Sequence, residues 1–258
     1  MCCFSGNVRS VNDTKIFARL TSPEEQAIAY SMRLDTPEDV AMILPIPVIP
    51  GSKENSVNFI DLSGYQKLFS DLNEGFPEPK SRYGPPLAGS LLPDEKPAPL
   101  KVQNVGSFEA SFVPTVRDFA RLDKRFKLPD GTWEKIPVYK DFGFAVFKLK
   151  KGKLKVHPMA FTFPSSFAAK GRLFFPTVHI HDGKIHRLED FDHQLFAQTW
   201  SGAGLRSKEG WRESPELASK FTKPKQSKGL IWSDGHVYLR EVRGRQTNRD
   251  IVAQAVRI

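Results

Sequence analysis

Residues 174–188 constrain the local fold of this chain most strongly, because two β-forming runs there flank an Asp-Gly dipeptide. Asp-Gly suits a two-residue type I′ turn, since both central residues of that turn need positive φ. If Asp182 and Gly183 form the turn, the pairing register of the two strands is set, and His179 lies opposite His186. The sequence therefore predicts a β-hairpin in this stretch.

Three of the six histidines would share one face of this hairpin, namely His179, His181 and His186. Side chains alternate between faces along a strand, and paired residues share a face at a spacing of about 5 Å. Three imidazoles at this spacing can converge on a divalent metal ion or a copper ion. Such a set suits zinc, copper or iron, with an open position for water or substrate. Cys2 and Cys3 could add a soft ligand if the N-terminal strand packs nearby.

Proline and phenylalanine, at twenty residues each, bear on the fold class. Many prolines fragment helices, and phenylalanine favours strands. Alternation over residues 26–34 and the apolar run at 40–48 predict strands, and helical spacing predicts helices near 63–74 and 115–126. We therefore predict an α+β fold, mainly antiparallel β-sheet with two or three short helices.

We predict one α+β domain over residues 1–200, with a long Pro-rich surface loop at 77–100. Residues 201–258 are predicted to form a basic C-terminal extension, partly irregular and ending in a short hairpin. This extension holds twelve Lys and Arg against six Asp and Glu, and the whole chain carries a formal net charge of +9. A basic surface of this kind can bind an acidic partner. No nucleic-acid-binding motif accompanies it.

Four stretches resemble, in order and spacing, an uncharacterised bacterial family, the domain of unknown function numbered 2330. They are Ala41–Val48, Val105–Ala110, Phe144–Lys150 and Met159–Pro164. The resemblance covers roughly residues 5–180. It implies a shared architecture over that range and implies no activity.

The N-terminus shows no basic region followed by an apolar core, and no run approaches the ~20 apolar residues of a membrane span. We therefore expect a cytoplasmic protein that is a monomer or a weak oligomer. The only cysteines are Cys2 and Cys3. Adjacent cysteines rarely bridge each other, and reduced thiols fit this cellular address.

Three functions remain open from the sequence, which leaves undecided whether the protein is an enzyme. The first is a metal-binding protein, or a metal-dependent enzyme that acts on a small-molecule substrate. The second is a non-catalytic binding module whose basic C-terminal segment meets an acidic partner. In that case the histidines only supply the wet face of a hairpin. The third is an amidohydrolase that uses Cys2 as an N-terminal nucleophile and its own α-amine as the base.

Overall fold

Strands dominate the computed structural model, which describes residues 3–77, 103–106, 108–122, 136–180, 186–200, 203–205 and 209–257. In chain order the strands are β1 (Cys3–Phe4), β2 (Ser10–Ser22), β3 (Glu25–Thr36), β4 (Val40–Ile46), β5 (Asn58–Asp61), β6 (Gln103–Val105), β7 (Phe108–Val113), β8 (Gly143–Leu149), β9 (Gly152–Pro164), β10 (Arg172–Phe175), β11 (Leu188–Gln198), β12 (Ala203–Leu205), β13 (Arg212–Glu213), β14 (Tyr238–Thr247) and β15 (Ile251–Arg257). The helical elements include α1 (Leu68–Glu74) and 3-10 helices at Ser63–Tyr65, Val116–Arg121, Pro137–Tyr139, Ala168–Lys170, Ala218–Lys220 and Pro224–Ser227.

These strands form three sheets. A seven-stranded sheet has the order β13-β14-β11-β2-β3-β9-β5, and a five-stranded sheet has the order β1-β4-β8-β7-β6. The third sheet has the order β10-β15-β12. Among the described pairs of strands, β2 and β11 run parallel and the others run antiparallel. The prediction of a mainly antiparallel sheet is therefore confirmed.

The main core lies between the seven-stranded and five-stranded sheets. Alternation along β2 places Ile16 and Ala18 in this core and Phe17 on the opposite face, as the two-residue period of a strand requires. β4 is buried along its whole length, and its Met42 and Leu44 enter the same core from the five-stranded sheet. Both faces of each large sheet are therefore apolar, so other elements must pack on the two outer faces.

Shorter elements cover the two outer faces. Helix α1 and the segment 218–237 pack on the seven-stranded sheet, and the 3-10 helices at 116–121 and 137–139 pack on the five-stranded sheet. The helix predicted near 63–74 is present as a 3-10 turn followed by α1. The helix predicted near 115–126 is a 3-10 helix that ends at Arg121, because Leu122 is extended with a ψ of 146°. The helical content is therefore smaller than the α+β prediction implies.

The C-terminal segment is part of the sheets. β14 pairs with β11 from Leu188 to Ala197, and β15 pairs with both β10 and β12. The division into a domain and an extension at residue 200 stays a prediction. The predicted short hairpin placed residues 231–232 opposite 236–239, and of these Tyr238 and Leu239 begin β14. The predicted Pro-rich loop lies outside the described residues beyond Pro77. No helix in the described ranges is long and apolar enough to cross a membrane.

Candidate functional site

Residues 176–180, here called the strap, are fastened by the turn between β14 and β15. In that turn the Asn248 side chain accepts a hydrogen bond from the His179 N–H at 2.7 Å and donates one to the His179 carbonyl at 2.9 Å. The same amide nitrogen donates to the His186 carbonyl at 3.0 Å. One asparagine side chain therefore holds the backbone on both sides of residues 181–185.

The structure pairs the histidine-bearing runs differently from the predicted hairpin. β10 ends at Phe175 and pairs with β15, and β11 pairs with β14 and β2. Gln26, buried on β3, also bonds both backbone groups of Phe174, at 2.7 and 3.0 Å. A direct pairing of His179 with His186 would use their backbone groups, but Asn248 already bonds the His179 N–H and the carbonyls of both residues. The predicted turn and His181 lie outside the described residues.

The described histidines of the predicted cluster lie in different environments. His179 is 7% exposed, and its ring packs against Phe191 at 4.4 Å and against His193 at 5.1 Å between ring centroids. His193, which the sequence did not tie to the cluster, is 1% exposed, and its Nδ1 lies 3.5 Å from Asp192 Oδ1. His186 is exposed. His179 is therefore packed among rings, and its neighbouring histidine is His193.

The N-terminal strand β1 lies between β4 and the strap. Cys3 pairs with Ile43 on one side and forms a parallel bridge with Ile180 on the other. Cys3 is 1% exposed and is not disulfide-bonded. A thiol buried in apolar surroundings is inert as a nucleophile. Cys3 therefore fills the core beneath the strap, and Cys2 lies outside the described residues.

Asp250 gathers three hydrogen bonds at the base of the strap. It accepts from the Thr177 N–H at 2.8 Å, the Val178 N–H at 3.1 Å and the Tyr139 hydroxyl at 2.5 Å. Burial raises the pKa of Asp250, and the bond from Tyr139 opposes that rise. Burial also raises the pKa of Tyr139, so its hydroxyl keeps the proton that it donates. Asp250 thereby joins the strap to the 3-10 helix at 137–139.

A polar cleft of about 620 Å³ opens beside an irregularity in β2, where the register with β3 shifts between Asn12 and Lys15. Asp13, at a φ of 56°, donates its N–H to Asp192 at 2.5 Å. The Asp13 carboxylate in turn pairs with Lys15 and, at 3.5 Å, with Arg33. The cleft is lined by Asn12, Asp13, Arg33, Asp192, Gln194 and Arg243. Two arginines and two aspartates line the cleft, so its lining carries no formal net charge.

His157 lies where β9 passes β5 and the turn between β6 and β7. Its ring packs on Phe108 at 4.0 Å between centroids, and its Nδ1 is 3.2 Å from the Pro158 carbonyl. Burial lowers the pKa of His157, and the Pro158 carbonyl and the charge of Asp61 act in the opposite direction. Gly106 has a φ of +62°, and a Cβ there would lie 2.8 Å from Asp61 Oδ1. The site is therefore a close-packed structural contact.

The lowered pKa of His157 predicts a stability change between pH 7.5 and pH 5.5. As the pH falls below the unfolded-state pKa of about 6.5, the unfolded chain takes up a proton that the folded chain does not, so the free energy of unfolding falls. We expect this fall to be shallower in His157→Gln, measured by urea unfolding at several pH values. The two proteins should differ least in slope above pH 7.5, and equal slopes throughout would contradict the prediction.

The mainly antiparallel architecture of three sheets defines the class of fold, and solved structures of the same general fold can be compared with it. The crystal structure of baculovirus P35 matches 99% of this chain and 100% of its own chain, with a TM-score of 0.52 and 12% sequence identity. A mutated P35 after caspase cleavage matches with a TM-score of 0.48, 15% identity, and 94% and 99% of the two chains. P35 in its complex with caspase-8 matches with a TM-score of 0.44, 13% identity, and 95% and 97% of the two chains. No known family and no curated protein matches the sequence.

These findings correct the interpretation of the chain as a metal-binding protein. Within the described parts of the chain, no group of three His, Cys, Asp or Glu side chains could hold a metal ion. His179 is buried against rings, His186 is exposed, and Cys3 is buried in an apolar cluster with Ile43 and Ile180. Cys2 and His181 are outside the described residues, so the Cys2 nucleophile stays a prediction. The resemblance to the family numbered 2330 also stays a prediction.

Proposed function

We propose that this protein is a non-catalytic binding protein whose partner is a cysteine protease of the caspase type. The observation that carries the proposal is the fold likeness to baculovirus P35, which extends over 99% of this chain and 100% of P35. P35 itself has been crystallised in a complex with caspase-8. A likeness over the full length of both chains supports a shared way of presenting a binding surface, since such surfaces depend on a rigid scaffold.

The packing of the described polar residues supports the same proposal. The side chains of Asn248 and Asp250 form hydrogen bonds with the backbone of the strap, and Asp250 also accepts one from the Tyr139 hydroxyl. Buried polar groups that are fully engaged in this way rigidify a fold. A rigid frame lowers the entropy that a binding protein loses when its partner docks. The cytoplasmic location belongs to the proposal as well, and the reduced, buried Cys3 supports it.

The direct test is binding to recombinant caspase-8. We expect a stable complex with a dissociation constant below about 1 μM, which corresponds to about −8 kcal/mol, measured by isothermal titration calorimetry and size-exclusion chromatography. Hydrolysis of a small peptide substrate by caspase-8 should fall as the complex forms. Failure to form a complex at about 50 μM protein, some fifty times that constant, would refute the proposal.

Two controls make the result specific. A papain-like cysteine protease also has a cysteine nucleophile, so it is a matched control. It should not bind, because the surface around its active site differs from that of a caspase. Caspase-8 with its active-site cysteine already alkylated shows whether the complex needs an open active site. Equal binding of caspase-8 and the papain-like protease would indicate a general affinity of this basic chain for proteins and would count against the proposal.

A further inference from the structure

Four lysines occur close together near the C-terminal end of the chain, at positions 220, 223, 225 and 228. Between Glu216 and Asp234 the sequence contains no acidic residue. Residues 218–228, here called the lysine platform, consist of two 3-10 helices, Ala218–Lys220 and Pro224–Ser227, joined by a short turn. Lysines in a mobile tail would be an ordinary solvated segment. Whether these lysines form a binding surface therefore depends on how firmly the platform is attached to the rest of the protein.

The platform is tied to the body of the protein at several points. Ala218 N–H donates to the Gly235 carbonyl at 2.9 Å, and Ser219 N–H donates to the Ser233 carbonyl at 3.0 Å. Lys223 N–H donates to the Tyr65 hydroxyl at 2.8 Å. These bonds join the platform both to the chain that follows it and to the turn that precedes α1.

A half-buried arginine and an apolar underside complete the attachment. The Arg19 guanidinium donates to the Gly229 and Leu230 carbonyls at 3.0 and 3.3 Å. Ala218 and Leu230 are fully buried in the core beneath the platform, and Phe221 packs against the same core. The backbone that carries the lysines is therefore fixed, so binding a partner does not have to order that backbone.

The charges on the platform are mostly unneutralised within the described structure. Lys220, Lys223 and Lys225 are exposed, and none has a described carboxylate within 4 Å. Lys228 differs, because its Nζ lies 3.8 Å from Asp61 Oδ2. On the neighbouring helix, Asp71 is engaged by the Tyr65 hydroxyl at 2.8 Å. A fixed backbone therefore carries three exposed lysines within six residues.

The surroundings of these lysines select among the anions that they could bind. A single-stranded nucleic acid would need exposed aromatic rings for its bases to stack on, but Phe221 packs inward and Trp232 is half-buried. An anionic membrane would need apolar side chains that insert among the lipids. The exposed large hydrophobic side chains that the structure describes are Ile49, Val138, Leu188 and Val252, which are all outside the platform.

We propose that the lysine platform is a docking surface for an acidic segment of a protein partner, with Lys220, Lys223 and Lys225 as the binding cations. Carboxylates on a polypeptide can meet the three ammonium groups one by one and need neither stacking nor insertion. This surface goes beyond the proposed caspase-type partner, because it requires only acidic side chains and applies to whichever protein supplies them.

The test uses the full-length protein and a fluorescent peptide of about twelve residues rich in Glu and Asp. Fluorescence anisotropy should show binding at low salt that weakens as salt is added, since exposed charges are screened. The triple variant Lys220→Glu, Lys223→Glu, Lys225→Glu should weaken binding by about tenfold or more, because three exposed pairs each contribute a small amount. The triple Lys→Gln variant should weaken it less. Both variants should keep the wild-type circular dichroism spectrum.

The matched control places the same three substitutions at exposed lysines elsewhere, as Lys53→Glu, Lys140→Glu and Lys170→Glu. The control changes the net charge by the same amount and should alter binding by less than about twofold, because these lysines are not part of the platform and exposed charges are screened by salt. An equal loss in the control would overturn the proposal in favour of a net-charge effect. Equal binding of a Gln- and Asn-rich peptide, or binding only to single-stranded DNA or to phosphatidylserine vesicles, would also overturn it.

Discussion

Replacing Asp250 by Ala should lower the free energy of unfolding by about 2–4 kcal/mol, because the substitution leaves several donors without their acceptor. Tyr139 and Thr177 are almost fully buried, at 1% and 0% exposure. Their hydroxyl and N–H groups therefore lose a hydrogen bond that solvent cannot easily replace. The strap and β1 beneath it should loosen together, since Asp250 bonds two consecutive N–H groups of the strap.

Urea unfolding measures the stability change, and the reactivity of Cys3 reports the local change. In a Cys2→Ser background the buried Cys3 thiol should react slowly with a thiol reagent, and Asp250→Ala should speed the reaction. Asp250→Asn should cost less, because its amide oxygen can still accept from the strap. The control is Asp190→Ala, whose exposed carboxylate lies 3.6 Å from Arg245 and should matter by less than about 0.5 kcal/mol. Equal stability of Asp250→Ala and the wild type would show that the strap is held by other contacts.

Local sequence patterns predicted the sheet content well, because strand alternation depends on near neighbours. The run at 40–48 reads as a central strand, and β4 is indeed buried along its length. The strand continues through Pro45 to Ile46, with Pro45 opposite Phe144. Among the described residues, β1 pairs with β4 at Met42 and Ile43, and the described partner of Pro45 lies on one side, in β8. Proline tolerates that position because its missing N–H is not required there.

The candidate site could not be predicted in the same way, because distant residues determine it. The Asp-Gly signal at 182–183 concerns local turn formation, whereas Gln26 and Asn248 engage the backbone on the approaches to that turn. Asn248 and Asp250 stand between two β-forming runs and are ordinary turn residues. Nothing in their local sequence indicates that they hold a segment some seventy residues earlier in the chain.

The C-terminal strands show the same limit. Residues 201–258 were predicted as an extension because their composition is basic and rich in small residues. The sequence of β14 carries charged side chains at many positions, yet Val242 and Leu239 turn inward and its backbone completes the seven-stranded sheet. Strand pairing is determined by partners that are far apart in sequence, and composition does not record such partners. The basic character of the segment does persist, on the lysine platform.

Replacing Phe147 by Ala should cost about 3–5 kcal/mol, the range for deleting a fully buried phenylalanine ring. Phe147 lies on β8 of the five-stranded sheet and is 0% exposed. Its ring contacts Phe59 at 5.5 Å and Phe161 at 5.9 Å between centroids, and both of these belong to the seven-stranded sheet. The loss of Phe147 would therefore open a cavity between the two sheets and remove the edge-to-face contact with Phe59.

Two further variants show whether the stability lost in Phe147→Ala comes from the packing of the ring between the sheets or from the loss of apolar surface alone. Phe147→Leu keeps most of the apolar volume, so we expect it to cost about 1–1.5 kcal/mol. Val138→Ala removes apolar surface from a side chain that is 65% exposed and should cost less than about 0.5 kcal/mol. Urea unfolding of the three variants measures these differences. If Phe147→Ala proved no more costly than Phe147→Leu, the two sheets would not depend on this ring, and the core between them would have to be held by its aliphatic contacts.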